Sequence, residues 1–213
     1  MGLAIETGVL ADLLKHDQDG VKWLSDSLDK VNEVLKENNI PQHIEPTEIS
    51  VLKRRNSIYS FPYSYIHYLR RVYARALSDP AWEVAHAGDE NPADDPFVEE
   101  ESMMFSSHLL CHSDAEGFYI PVDFQEVLMD ETDQDRILGG LLGSSHRLFE
   151  ELVTIAPKLG ISLDGDQLSD SEAEKIFNDI CSEGNLHIEK NVWLSLFESA
   201  RVSIQNKTAI CFC

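Results

Sequence analysis

Residues 103–124 read MMFSSHLLCHSDAEGFYIPVDF, and the way this stretch folds decides whether the chain is all helical or mixed. Two apolar-rich segments, Met103 to His112 and Gly117 to Phe124, flank Ser113-Asp114-Ala115-Glu116-Gly117, a run of turn formers. The pattern predicts a β-hairpin over about 103–124. Further out, Ile210 and Phe212 alternate with Cys211 and Cys213 in the segment 207–213, which reads as a C-terminal strand able to join the hairpin in a small antiparallel sheet.

The rest of the periodic sequence is helical. Leu3 to Leu14 has a fair helical spacing. Behind an Asp19 cap, Val21, Leu24, Leu28, Val31 and Leu35 recur every three or four residues until Asn38-Asn39 and Pro41. Residues 40–57 read as a linker, and a third helix starts near Pro62 and closes at Asp79-Pro80. These make a helical N-terminal layer over about 1–78. Ser144 opens another helix that Gly160 ends, Ser169 with Glu172 forms a capping box, and Trp193, Leu196, Phe197 and Ala200 mark the buried face of the last helix. The expected fold is α+β, one helix-rich domain over 1–213. Gly88, Pro92 and Pro96, set among Asp89, Glu90, Asp94 and Asp95, predict an exposed acidic loop over about 86–98.

Apolar residues make up 43% of the 213, enough for a sizeable core. No apolar run is long enough to cross a bilayer, which argues against a membrane partner, and the four cysteines lack a disulfide spacing, which suits a reducing cytoplasm. The formal net charge is −21 and it is concentrated: residues 76–135 hold seventeen Asp and Glu and no Lys or Arg. Such a field repels phosphate backbones and draws in cationic partners or metal ions. A basic, tyrosine-rich run from Lys53 to Arg75 precedes it. Beside so many acids, those arginines are better read as pairing with them, inside the molecule or across a homodimer, than as holding nucleic acid, so nucleic acid is an unlikely partner on this reading.

Three groups of side chains could carry chemistry. His108, His112 and Asp114, with His146, offer imidazole and carboxylate ligands to a divalent metal such as zinc. Cys111, between the two histidines, would point to the other face of a strand. Ser144, Ser145 and Arg147 follow Gly139, Gly140 and Gly143 at a helix start, where free amides could bind an anion; Ser144 as a plain N-cap explains the same residues. Glu99, Glu100 and Glu101 are the densest acids and the natural contact for a basic protein. No nucleophile elbow, phosphate-binding loop or zinc-finger spacing is present.

Two classes of function follow. The first is a non-enzymatic interaction protein, resembling inhibitors and immunity proteins in using an acidic segment (83–135) to engage a basic partner. The second is a metal-assisted hydrolase or other small-molecule enzyme built on the His and Asp cluster near 108–116.

Overall fold

The computed structural model describes residues 2–50, 54–55, 60–85, 88, 90–130 and 136–213. Six strands, β1 (Leu3–Thr7), β2 (Ser60–Phe61), β3 (Gly117–Ile120), β4 (Leu128–Met129), β5 (Leu141–Ser144) and β6 (Ile210–Phe212), form one sheet in the order β2-β1-β6-β3-β5-β4. Around it pack α1 (Val9–His16), α2 (Gln18–Glu37), α3 (Tyr65–Ser78), α4 (Pro96–Ser102), α5 (His108–Cys111), α6 (Ser145–Ile155), α7 (Asp170–Cys181) and α8 (His187–Asn206). The fold is α+β, as the sequence pattern requires.

Strand alternation divides the core between the two faces of the sheet. Leu3, Ile5, Tyr119, Ile210 and Phe212 lie in one apolar cluster with residues of α3, α6, α7 and α8. Phe118, Ile120, Leu142, Ala209 and Cys211 lie in the other, with the stripe Leu24, Leu28, Val31, Val34 and Leu35 of α2. The C-terminal residues are buried as expected, although residues 191–200 of α8 are buried all round rather than on one face. Ile210 and Phe212 share a face, and Trp193, Leu196, Phe197 and Ala200 are all buried on α8. Trp193 stacks on Phe197 with centroids 4.6 Å apart, and its indole N–H donates to the Leu152 carbonyl at 2.8 Å.

The sheet departs from expectation in two places. It is mixed rather than antiparallel, because β3 pairs antiparallel with β6 and parallel with β5. The hairpin over 103–124 is absent: its second arm is β3, but residues 108–111 are a turn of helix. Ser107 caps that turn by accepting from Leu110 N at 3.1 Å, and the Glu151 carboxylate of α6 accepts from His108 N at 2.8 Å and Leu109 N at 2.7 Å. With β5 and β6 pairing both edges of β3, an arm from 103–112 has no edge to join.

At the N-terminus Leu3–Thr7 is a strand, not the start of a helix, since Leu3 and Ile5 alternate with Ala4 and Glu6 in period 2. Gly8, at φ 72°, makes the turn into α1. The stretch expected to be a helical N-terminal layer thus opens on a strand, and its helices part, α2 packing in one apolar cluster and α3 in the other. In α2 the cap is Asp17, whose carboxylate accepts from Asp19 N and Gly20 N, rather than Asp19.

Candidate functional site

The acidic stretch is held to the protein at one carboxylate. Asp95 has a side chain only 3% exposed, and it accepts from Arg75 Nε at 2.6 Å and Arg71 Nε at 3.1 Å, both from α3. Its other oxygen caps α4 by accepting from Phe97 N at 3.1 Å, with Pro96 at the first helical position. Arg71 also donates to the Ala85 carbonyl at 3.0 Å. The two guanidinium groups lie 5.7 and 5.6 Å from the Trp82 ring, and Arg75 lies 5.2 Å from that of Phe97. Trp82, Ala85, Asp95 and Phe97 are thereby clamped along α3. Of the basic run, Arg71 and Arg75 pair with an acid of the stretch as expected, whereas Arg70 donates to the carbonyls of Leu109 and His112 and Arg55 pairs with the buried Glu198 at 2.6 Å, outside that stretch. Lys53 and Tyr59 lie outside the described residues.

The expected loop over 86–98 is thus partly structured. Pro92–Asp94 form a turn of 3-10 helix, α4 starts at Pro96, and Pro92, Asp95 and Val98 are buried. The two prolines act as helix starters here, because proline suits a first turn and Asn91 and Asp95 cap those turns. Asp89 lies outside the described residues. The acids that remain exposed face outward. Glu90 and Asp94 edge an open cleft of about 410 Å³ over Arg71 and Arg75, and Glu99 and Glu100 stand out from α4 while Glu101 is half-buried.

Thirteen of the acids in 76–130 are described, and four of these have a cationic partner. Asp95 has Arg71 and Arg75, Asp114 meets His67 at 3.0 Å, Asp123 meets Arg147 at 2.7 Å, and Asp130 meets Arg136. The other nine, Glu99, Glu100 and Glu101 among them, have no ion-pair partner among the described residues. At His67, burial and the neighbouring Arg70 lower the pKa while Asp114 and Asp94 oppose them, which places both acids close to the outer side of α3.

The sequence-predicted metal ligands do not come together. His108 accepts from Ser144 N at Nδ1 (2.9 Å), so its Nε2 carries the proton facing the Gln125 carbonyl at 3.2 Å. His112 stacks on Tyr119 at 4.0 Å, with its two ring nitrogens facing the carbonyls of Ser113 (2.8 Å) and Phe118 (3.2 Å). Burial pushes the pKa of each of these imidazoles down to about 4. Asp114 is taken up by His67, and His146 lies on α6, half-buried. Among the described residues no three His, Cys, Asp or Glu side chains form a group that could hold a metal ion.

The anion-site residues have structural partners instead. Ser144 caps α6 through Arg147 N and donates to the Val122 carbonyl at 2.7 Å, and Ser145 pairs with Ser203 at 2.7 Å, with all three serines buried. Arg147 lies between Asp123 (2.7 Å) and Glu150 (2.8 Å). Gly143 has a packing role, since a Cβ there would fall 2.2 Å from the Tyr119 ring on the adjacent strand. Sequence reasoning missed Asp95 as the anchor. Its signal was present in Asp95-Pro96, an N-cap followed by a first-turn proline.

The family described as "Putative DNA-mimic protein" matches residues 1–212. No curated protein and no solved structure matches the chain. The family match corrects the reading that set nucleic acid aside as an unlikely partner. In a DNA mimic the nucleic acid is the thing imitated, and the charge that would repel phosphates is the charge that replaces them. Matched over all but its last residue, the chain belongs to this family of DNA mimics and is, at that level, an acidic interaction protein for basic, DNA-binding partners.

Proposed function

We propose that the protein inhibits a DNA-binding protein, in the manner of an immunity protein, by occupying its DNA-binding surface with the carboxylates of residues 79–126. The observation that carries this reading is the clamp at Asp95. One buried acid takes up two arginines of α3, and nine described acids of the same stretch have no ion-pair partner among the described residues. Concentrated charge of one sign accelerates association with a basic surface, and fixed charge loses less conformational entropy on binding than a mobile loop.

The test uses the cell-protein fraction that binds immobilised duplex DNA and elutes at high salt, passed over the immobilised protein. A DNA-binding protein should be retained, and free duplex DNA should displace it. The triple variant Glu99→Gln/Glu100→Gln/Glu101→Gln should retain less and show a flatter dependence on salt. Retention that duplex DNA does not disturb, or no retention at all, refutes the proposal.

A further inference from the structure

We infer that Met103, Met104 and Phe105 form an apolar knuckle that enters a depression beside the basic surface of the same DNA-binding partner; this deepens the function proposed above and rests on it. Charge alone gives poor discrimination. Phosphate contacts fix position and carry no sequence information, and any surface built to bind DNA accepts an array of negative charge. A protein that selects one DNA-binding partner needs a contact that DNA lacks.

The knuckle is placed for such a contact. α4 ends at Ser102, and the next three residues are 68%, 69% and 43% exposed, three consecutive apolar side chains in the most acidic part of the chain. They follow directly on Glu99, Glu100 and Glu101. A basic partner drawn to those acids therefore meets the knuckle next. The turn itself is held in shape: Met104 N donates to the Glu101 carbonyl at 3.2 Å, Phe105 N to that of Ser102 at 3.2 Å, and Val127 N to that of Phe105 at 3.3 Å. Flexible, polarisable methionines beside an aromatic ring suit an apolar pocket on a partner. An apolar contact of this kind also persists at salt concentrations that screen the carboxylates.

The experiment compares wild type, Met103→Gln/Met104→Gln, the Glu99→Gln/Glu100→Gln/Glu101→Gln triple variant, and Ile44→Gln as a control at another exposed apolar residue. The probe is the protein retained from the DNA-binding fraction, titrated over a series of salt concentrations, with thermal melts to confirm that each variant folds. The methionine pair should weaken binding about ten- to hundredfold with an unchanged salt slope, as loss of two apolar anchors implies. The acid variant should weaken binding with a flattened slope, and Ile44→Gln should match wild type. If the methionine pair binds like wild type while the acid variant is weakened, the knuckle is outside the interface and the inference falls, with the proposed function intact. If duplex DNA fails to compete with the wild type, the proposed function falls and takes the knuckle with it.

Discussion

Replacing Asp95 by Asn removes one charge and little else. Asn keeps an oxygen for Phe97 N, so the cap on α4 survives, while Arg71 and Arg75 lose their shared carboxylate. The side chains of Asp95 and Arg71 are 3% and 8% exposed, and that of Arg75 is 25% exposed. Stripping one partner from a buried pair costs roughly 3–5 kcal/mol. Arg75 belongs at the low end of this range, because a quarter of it already meets solvent and the Trp82 and Phe97 rings still face it.

The expected loss for Asp95→Asn is therefore about 3 kcal/mol, and Asp95→Ala should lose about 1 kcal/mol more with the cap. Equilibrium urea melts read both. Arg75→Met should lower the cost of Asp95→Asn, since one stranded cation remains instead of two, and a double-mutant cycle isolates that coupling. A loss under about 1 kcal/mol for Asp95→Asn, with no coupling to Arg75, would show that the acidic stretch is not tethered at this carboxylate.

Further expectations concern salt, pH and the core. The nine acids without ion-pair partners among the described residues should make the melting temperature rise with salt, and the Glu99→Gln/Glu100→Gln/Glu101→Gln variant should be more stable than wild type at low salt and converge with it near 0.5 M, where the screening length is under about 10 Å; identical melts throughout would contradict this. Burial pushes the Glu151 carboxyl up to about 7 from 4.5. A raised folded value means that the fold favours the protonated acid, so this contribution is complete below about pH 4.5 and is lost as pH rises through about 7, up to roughly 3 kcal/mol. The stability difference between Glu151→Gln and wild type should follow that curve. His108 and His112 act oppositely, since values near 4 against 6.5 mean that the unfolded chain takes up protons the fold refuses, and stability falls as pH drops from 6.5 toward 4. His112→Asn should flatten that limb in pH-dependent urea melts. Phe197→Ala should lose roughly 3–5 kcal/mol in the same assay, as truncation of a fully buried aromatic does.

Elements with a long run of one period were legible in the sequence. The stripe of α2, the inward face of α8, the caps at Ser144 and Ser169, and the alternation of Ile210 and Phe212 all follow local rules that tertiary context did not overturn. Leu3–Thr7 was not legible as a strand because five residues satisfy both periods about equally well, and β6, one of its partners, lies more than 200 residues away. Residues 108–111 were ambiguous for a related reason. All four are buried, so no alternation separates strand from helix, and the decisive contact comes from Glu151 in another element. Of the site, the sign and location of the charge were legible and the anchor was not, because Asp95 looks like any other acid until its two arginines are brought to it by the fold.

The placement of the basic residues explains how a chain with 17 Lys and Arg presents so bare an acidic stretch. On a solvated surface, Arg70, Arg71 and Arg75 would stand among the acids of 79–101 and cancel part of the field a partner meets. Here Arg70 is buried on carbonyls, which satisfy its donors without consuming a carboxylate, and Arg71 and Arg75 converge on a single one. Two of the three cations thus share one acid, and the third takes none by ion pair among the described residues. The arrangement is costly for stability, since two guanidiniums share one counter-ion at close range, and cation–π contacts with Trp82 and Phe97 offset part of that cost. An acidic segment that served only solubility would gain from dispersing its charge and pairing it with nearby bases. Cations held inward and acids left outward are what imitation of a phosphate backbone requires, because the partner then meets uncompensated negative charge at fixed positions.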